Sequence, residues 1–551
     1  MKILKYIHSI ILTVFIACQF MSCNDDNFLE EHPDTIYTID NVYSSSEQVG
    51  QIVVGIYAQI RDLKTNPVSD AAWMLDFKGR GTDMYDIAFD RKSQSFSDYG
   101  IINTNHNTFY QVYTAYYEII AKANLALYAS ELPQITWASA GDKAYVVAQA
   151  RFFRAFAYKN LAELFGGVPL VTEIATTARY DYNRETRTAT YQYAIDEMEA
   201  VLNDIPLATA TNGRIVRGAV QHNLSELYLA LGTQLAADGK AGEAQNAFTS
   251  SINYANSVID GGAYSLINTR FGTRKNEETI HYDIHQNGIE TGAVVDTIQM
   301  EANYYWDLFQ EGNVDFQDGN TECIWAVEID YAAYKKEDTR SYLPYTRQYG
   351  PNFREGSARF FGACLLEEVG GRNVYISCIT PYVRDEIYSG KFAGDMRNSD
   401  VVFRRRLKAN QVSSPYYKQL VPWELIYNDP AKTDAENKNY QSQQYPISCK
   451  ISTDKFTGLA DGQNRSNLFR DDYMIRLSET ILLRAEAKQR SGDKAGAAAD
   501  VNLLRTRAQC AYLVTVADMD DNFDLILDER ARELVYEEYR WNTLLRMGGT
   551  V

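Results

Sequence analysis

The sequence is poor in the residues that build metal sites and disulfide frameworks. Its 551 residues include only six histidines and seven cysteines, and the cysteines are widely spaced. No CxxC pair is present, which excludes a metal or redox site of that type. Beyond the N-terminal region an odd number of cysteines remains, so a dense disulfide framework is not expected, while a single bridge such as Cys364 to Cys378 stays open.

Basic residues are also in the minority. Lysine and arginine together number 54, against 72 aspartates and glutamates, which gives a formal charge of −18. Proteins that bind nucleic acid neutralise phosphates with a basic surface, so no nucleic acid partner is expected. The signatures HExxH, GxSxG, GxGxxG and the P-loop are absent as well. We therefore expect no enzyme and no cofactor; a hydrolase with two paired carboxylates is the last alternative, because its geometry is not visible in a sequence.

Long apolar runs are confined to the N-terminus. Two lysines precede an apolar stretch at residues 6–20, which has the length of a secretory signal and is too short to span a membrane. Cys23 follows a small serine, as in a bacterial lipoprotein signal. We expect a lipoprotein signal peptide at residues 1–22, a lipid on Cys23 and a lipid-anchored tether at residues 23–45. Cys18 is the rival site, and ordinary secretion is the alternative.

Apolar residues recur at helical spacing in two parts of the chain. A stripe that includes Leu224, Leu227 and Leu231, followed by the turn AADGKAG and a second stripe, predicts a helical hairpin. A similar pair begins at Met474 and turns at RSGDKAG. The lengths and the small residues resemble tetratricopeptide-type repeats. We predict a mainly α fold in which residues 46–264 and residues 471–551 are helical.

The middle of the chain, residues 265–470, lacks a long helical stripe. Short β-prone runs such as ECIWAVEI and NVYISCI are separated by Gly, Asn and Pro. Too many aromatic and branched residues occur here for a disordered loop, so we predict an irregular, aromatic-rich subdomain with short strands that packs on the helices. In HYDIH, His281, Asp283 and His285 would share one face of a strand. An exposed polar face is the preferred interpretation, and no metal is expected.

Several motifs, in order along nearly the whole chain, resemble the SusD/RagB family of outer-membrane nutrient-binding lipoproteins. The first are CNDDNFLEEHP, SEQVGQIVVGIYAQI and ARFFRAFAYKNLAELFGGVPLV. The later ones are SGKFAGDMR, YMIRLSETILLRAEAKQRSGDKAGAAADVNLLRTRA and ILDERARELVYEEYRWNTLLRMG. The resemblance implies a SusD-like fold. Members of the family usually continue beyond the last motif, so the C-terminal edge is expected to be either truncated or naturally short.

The resemblance also implies a role. It points to a lipid-anchored protein exposed on the outer membrane that captures oligosaccharides or polysaccharides and delivers them to a SusC-like TonB-dependent barrel. Oligopeptides are the alternative ligand class. A tetratricopeptide-like scaffold that binds only proteins is the alternative of a different kind.

Aromatic residues beside Asp, Asn or Arg are the expected glycan contacts, because flat sugar faces stack on rings while polar groups bind hydroxyls. The 40 tyrosines of the chain suit this task, although most must pack between helices. The loop AAWMLDFKGRGTDMYD is the first choice, followed by SYLPYTRQYG and VPWELIY. The predicted ligand-binding residues are Trp73, Arg80, Asp83, Tyr85, Tyr342, Tyr345, Arg347 and Trp423. Trp306 and Trp325 are expected in the core, and pairing between Arg80 and Asp83 is the structural alternative for those two residues.

Overall fold

The computed structural model describes most of the chain between residues 38 and 548. The described ranges are 38–65, 77–87, 99–175, 177–288, 293–336, 341–350, 376–405, 407–421, 446–455, 457–458, 467–519 and 523–548, with residues 360 and 433. Within them the protein is mainly helical with a few short strands, which confirms the predicted fold class. None of the helices in these ranges is long and apolar enough to cross a membrane.

The helices form two groups that are separated by the irregular region. The first group is α1 Ser46–Thr65, α2 Asn107–Ser130, α3 Ala140–Phe165, α4 Arg187–Val201, α5 Arg217–Ala237 and α6 Ala241–Ile259. Short helices follow, namely α7 Tyr304–Asp307, α8 Tyr331–Lys335, α9 Tyr345–Tyr349 and α10 Pro381–Arg384. The second group is α11 Leu477–Arg490, α12 Lys494–Arg507, α13 Asp524–Leu534 and α14 Arg540–Met547.

Small residues let the paired helices approach closely. In the α5–α6 hairpin, the hydroxyl of Ser225 donates to the carbonyl of Ser251 at 2.9 Å, and that of Ser251 donates back at 2.7 Å. A Cβ atom on Gly232 would lie 2.6 Å from the ring of Phe248, so only glycine fits there. Helix α11 packs against both α5 and α6. The two helical groups therefore share one scaffold.

The strands form four antiparallel pairs in the described residues. The pairs are β1 Tyr85–Ile87 with β5 Ser377–Ile379, β2 Thr279–His285 with β3 Val294–Glu301, β4 Cys323–Val327 with β8 Asp472–Arg476, and β6 Phe403–Arg404 with β7 Ile447–Ser448. Strands are therefore confirmed within ECIWAVEI, at Cys323–Val327, and within the described end of NVYISCI, at Ser377–Ile379. In β2, His281 and Asp283 face outward while Ile280, Tyr282 and Ile284 are buried, so the exposed polar face is confirmed for these two residues.

One helix begins later than its stripe predicts. Met474 fits the apolar spacing of α11, yet it lies in β8, and the helix starts at Leu477. Tyr473 and Ile475, its neighbours, pair with β4. Hydrogen bonding to a strand some 150 positions earlier holds this segment extended, because a backbone group can serve only one of the two structures.

The two tryptophans expected in the core are buried there. Trp325 of β4 packs on the rings of Phe152, Phe153 and Phe156 of α3, with centroid distances of 5.9, 6.2 and 5.9 Å. Trp306 belongs to a second core that is formed mainly by the irregular region. The strand pair β4–β8 thus joins the irregular region to the helical scaffold.

Buried ion pairs join the C-terminal helix α13 to the irregular region. Glu529 accepts from Arg397 at 2.7 Å, and Glu533 pairs with Arg397 at 2.9 Å and with Arg476 at 2.6 Å. Burial alone would raise the pKa of Glu529. The neighbouring guanidinium groups of Arg397, Arg532 and Arg505 have the larger effect and lower this pKa to about 2. These charges are desolvated, so removing one partner would leave the other charge unpaired in the interior.

Candidate functional site

Tyr85, at the end of the segment 77–87, lies in the interior. Its ring contacts those of Tyr349 and Tyr536 at centroid distances of 5.7 and 5.9 Å, and its hydroxyl accepts a hydrogen bond from the backbone N–H of Tyr536. Burial raises the pKa of Tyr85 well above its ordinary value. This ring fixes the segment 77–87 to the core and presents no face to solvent.

Arg80 and Asp83 have separate partners. The guanidinium of Arg80 is buried and donates to the carbonyl of Ile376 at 3.3 Å. Asp83 accepts from Nε of Arg540 at 2.9 Å. The alternative that Arg80 and Asp83 pair with each other is wrong, because α14 supplies the cation that pairs with Asp83. Both residues tie the segment to elements far away in the sequence.

Tyr345, on α9, bridges two buried charged groups. Its hydroxyl donates to Oδ2 of Asp472 at 2.6 Å and lies 2.7 Å from Nζ of Lys78. Burial lowers the pKa of Lys78 well below its ordinary value, with a further contribution from the nearby Lys64. Tyr345 thereby joins the segment 77–87 to β8.

Four predicted ligand-binding residues are thus brought together, and three of them are buried. Arg80, Tyr85 and Tyr345 lie in the interior where the segment 77–87 meets α9 and the C-terminal residues, whereas the side chain of Asp83 is 33% exposed. A direct contact between any of them and a glycan stays a prediction. Arg347 is half-buried on α9. Three other predicted residues, Trp73, Trp423 and the predicted lipidation site Cys23, lie outside the described residues.

Three half-buried tyrosines of the irregular region and one buried phenylalanine form an aromatic patch, which we define as Tyr331, Tyr334, Tyr342 and Phe469. Tyr331 and Tyr334 contact the buried Phe469 at centroid distances of 4.7 and 5.0 Å, and Tyr334 contacts Tyr342 edge to face at 5.8 Å. The planes of Tyr331 and Tyr334 differ by only 19°. The three tyrosines are half-buried, so each keeps part of its ring at the surface.

Local sequence explains why two of these rings lie side by side. Asp330 caps α8 by accepting from the backbone N–H of Ala332 at 2.7 Å. On the helix that follows, Tyr331 and Tyr334 are three residues apart and share a face. Asn467 lies 3.4 Å from the hydroxyl of Tyr334, and the ammonium of Lys335 lies 5.6 Å from the ring of Tyr331. Hydrogen-bonding groups therefore border flat apolar rings, a combination that suits a ligand with one apolar and one hydroxylated side.

Of this patch the sequence analysis predicted only Tyr342. The motif DYAAYKK carried the signal that was missed, because it combines a helix-capping aspartate with two tyrosines at helical spacing. Phe469 lies more than 120 positions after the tyrosines in the sequence, so no local pattern predicts its contact with them.

Three carboxylates, Asp315, Glu328 and Asp471, gather beside the patch, and their oxygens all lie within 4.8 Å of one another. Asp471 also accepts from the backbone N–H of Ile329 at 2.7 Å, at the base of α8. Burial and the neighbouring carboxylates raise the pKa of Glu328 to about 9 and that of Asp471 to about 8. Among the described residues, these three carboxylates form the cluster that could supply oxygen ligands to a hard cation such as Ca²⁺.

Two clefts flank this carboxylate group. One, of about 250 Å³, is lined by Glu328, Tyr57 and Arg214, and the other, of about 150 Å³, by Asp315, Tyr264 and Phe316. Trp325 forms part of both walls, and its indole N–H donates to the carbonyl of Gly213 at 3.0 Å. The clefts therefore lie on either side of the loop that contains Gly213.

Two family models match the chain. The one described as the SusD family matches residues 321–550, and the one described as starch-binding associating with outer membrane matches residues 27–229. A curated SusD-like protein of Formosa agariphila is 23% identical over 573 residues, which cover 98% of this chain and 90% of that protein. These matches span both helical groups.

Solved structures of similar proteins share the fold. A laminarin-binding SusD-like protein superposes with a TM-score of 0.63 at 19% identity, covering 92% of each chain. NanU of B. fragilis gives a TM-score of 0.62 at 18% identity, covering 94% of this chain and 92% of that one. Surface glycan-binding protein A from Bacteroides thetaiotaomicron, in complex with laminarihexaose, gives 0.57 at 16% identity, with coverages of 92% and 90%. At such identities the likeness establishes the architecture.

Proposed function

Because the chain belongs to the SusD family, we propose that it is a surface-exposed binding protein that captures oligosaccharides or polysaccharides and delivers them to a SusC-like TonB-dependent transporter of the outer membrane. The observation that carries the proposal is the aromatic patch with its polar border. The names of similar proteins support it, since they include a laminarin-binding protein and a surface glycan-binding protein. The task is capture, so the protein is not an enzyme and makes or breaks no bond.

The chemistry of the patch explains how capture would work. The C–H faces of a sugar ring stack on Tyr331 and Tyr334, whose nearly parallel planes present neighbouring surfaces to one saccharide. Asn467 and the tyrosine hydroxyls lie within reach of the sugar hydroxyls at the border. Because the rings are already packed on Phe469, binding orders few side chains, and little conformational entropy is lost.

The experiment is affinity electrophoresis of the protein through gels that contain laminarin, starch, xylan or mannan, followed by calorimetry. We expect one polymer to retard the wild-type protein and Tyr334→Ala to weaken that binding about tenfold, which is about 1.4 kcal/mol. Tyr254→Ala is the matched control, because Tyr254 is also half-buried, stacks on Tyr228 and donates to Glu199 at 2.8 Å. It should bind as the wild type does.

Two outcomes would contradict the proposal. Equal losses in Tyr334→Ala and Tyr254→Ala would show that the patch has no special part in binding. Retention on a peptide panel by a folded protein that no polysaccharide retards would replace glycans with oligopeptides as the ligand class.

Lipid anchoring through Cys23 is part of the proposed role. The signal-like residues 1–22 and the tether at residues 23–45 support it. Labelled palmitate should enter the wild-type protein and should be absent from Cys23→Ala, which should also leave the membrane fraction. If the Cys23→Ala protein stays in the membrane fraction and retains the label, the lipid is attached to a residue other than Cys23. Cys18→Ala is the control.

Delivery requires a transporter as partner. A detergent extract of cells that express the anchored protein should yield a TonB-dependent barrel when the protein is purified through a tag. Purification of the protein alone, under conditions that preserve a known pair of this kind, would contradict delivery while leaving glycan capture intact.

A further inference from the structure

A stripe of tyrosines runs along helix α2, away from the aromatic patch. Tyr110, Tyr113 and Tyr117 are separated by three and four residues, so they lie on one face over about 10 Å of helix. Tyr110 is 70% exposed. Tyr113 and Tyr117 are half-buried, and their ring centroids lie 4.8 Å apart at an angle of 34°. The stripe therefore places one exposed and two half-buried tyrosine rings on one face of a helix of the scaffold.

A loop at residues 177–186 forms a second side of this surface. Burial first and Tyr113 second raise the pKa of Tyr117, and Tyr182 of this loop adds a smaller contribution. Arg184 anchors the loop by donating from Nη2 to the carbonyl of Phe165 at 2.7 Å, and Tyr113 packs on the ring of Phe165 at 5.3 Å. The loop and the helix therefore border the same shallow surface.

The loop also supplies polar groups. Arg179 donates to Asp181 at 2.8 Å, and its guanidinium lies 4.9 Å from the ring of Tyr182. Tyr182 is 39% exposed and Tyr180 is 93% exposed. Both rings are therefore accessible from solvent.

Ring contacts connect this surface to the segment 77–87, which carries three of the predicted ligand-binding residues, Arg80, Asp83 and Tyr85. Phe77 contacts Phe109 at a centroid distance of 5.9 Å, and Phe109 contacts Phe165 at 6.3 Å. On its other side, the same segment reaches α9, just after the aromatic patch, through the contact of Lys78 with Tyr345. The patch and the stripe thus flank one segment, residues 77–87.

We propose that Tyr110, Tyr113, Tyr117, Tyr180 and Tyr182 form a second saccharide-binding surface, which holds a further stretch of a long neutral glycan whose other part occupies the aromatic patch. The inference rests on the proposed function and deepens it, because it makes the preferred ligand a polymer. Tyrosine faces stack on consecutive sugar rings, and Arg179 and Asp181 bind hydroxyls at the border. Two linked contacts raise the affinity for a polymer without any change in the affinity of either contact.

A neutral saccharide suits this surface better than a charged ligand. Arg179 and Asp181 already neutralise each other, so neither offers an uncompensated charge to an ion. Tyrosine and arginine are also common in protein interfaces, which makes a protein partner the rival outcome of the test.

The test compares a polymer with a hexasaccharide cut from it, beginning with laminarin and laminarihexaose and otherwise using the polymer retained in the gel panel. The double variant Tyr110→Ala/Tyr180→Ala removes two exposed rings and should fold normally. We expect its affinity for the polymer to fall about tenfold while its affinity for the hexasaccharide stays unchanged. Tyr128→Ala is the control, since this exposed tyrosine lies about 27 Å further along the same helix.

Hydroxyl-radical footprinting of the wild-type protein gives a second readout that does not depend on a variant. Tyr110 and Tyr180 should be protected by the polymer and remain reactive with the hexasaccharide. Unchanged polymer affinity in the double variant, or equal losses for both ligands, would overturn the proposal while leaving the patch as the binding site. Loss of barrel co-purification with unchanged polymer affinity would make the surface a protein interface. If no polymer binds the wild-type protein, this proposal and the proposed function fall together.

Discussion

Two groups of tyrosines in this protein have the same chemistry and opposite surroundings. Tyr85, Tyr345, Tyr349 and Tyr536 are buried, and their hydroxyls or rings contact one another and charged neighbours. Tyr331 and Tyr334 rest on a buried phenylalanine, Tyr342 packs on Tyr334, and all three tyrosines are only half-buried. The comparison teaches that an abundance of tyrosine indicates two tasks, and that only the tertiary structure assigns each ring to support or to recognition.

The largest expected effect on stability comes from a substitution in the buried group. Tyr85→Ala should lower the free energy of unfolding by about 3–5 kcal/mol, because it leaves a cavity between Tyr349 and Tyr536. Tyr331→Ala should lower it by less than half as much, since that ring is only half-buried. Urea denaturation of both variants measures the difference. Similar losses in the two variants would show that the two groups do not differ in their structural role.

A smaller effect isolates one hydroxyl of the buried group. Tyr345→Phe keeps the ring but removes the oxygen that links Lys78 to Asp472, and we expect a loss of about 1–3 kcal/mol because both charged groups are buried. Tyr342→Phe is the control at a half-buried ring three positions earlier and should change stability little. The same denaturation assay applies. If Tyr345→Phe leaves the free energy of unfolding unchanged, water replaces the hydroxyl between Lys78 and Asp472.

A separate effect, measured as a change of stability with pH, is expected at the base of the aromatic patch. Glu328 and Asp471 have pKa values of about 9 and about 8 in the folded protein, above the ordinary values of 4.5 and 3.8. The unfolded chain therefore releases these protons first as the pH rises. Their contribution to stability is complete below about pH 4 and is lost progressively up to about pH 9.

Glu328→Gln tests this dependence because it removes one titrating group and keeps the shape. Between pH 5 and pH 9 the melting temperature of the variant should fall less than that of the wild type, in buffers without divalent cations. Glu277→Gln is a control at a carboxylate whose pKa is lowered to about 2 by Arg274 and Lys455, and which does not titrate in this window. Parallel curves for the wild type and Glu328→Gln would contradict the assignment.

The sequence predicts the scaffold well because helices leave a local record. The stripes around Leu224 and Leu227 predict α5, and the glycine-containing turns mark both hairpins. Helix α4 lies within the predicted helical region 46–264 but is not predicted as a separate element, although Tyr191, Ile195 and Met198 form a short stripe after the cap Thr186. Met474 shows the limit of the method, because pairing with β4 overrides a helical pattern.

The candidate site is predicted less well because its contacts are distant in sequence. Asp83 pairs with Arg540, 457 positions away, and Tyr85 contacts the backbone of Tyr536, 451 positions away. No spacing rule relates such residues. The local sequence also does not determine whether a tyrosine is buried, since its amphipathic ring suits the core and the surface equally. Tyr345 and Tyr342 lie three positions apart in one motif, yet one supports the structure and the other belongs to the patch.

The same distant pairs impose an order on folding. Arg540 and Tyr536 provide the contacts that hold the segment 77–87, and Glu529 provides the anion for Arg397. The early segment and the irregular region therefore cannot be completed until the C-terminal helices have been made. Contacts of such sequence separation form slowly, because a long loop must close before they contribute. The chain thus stays incompletely folded while it is being synthesised, a state that is compatible with the proposed export across a membrane.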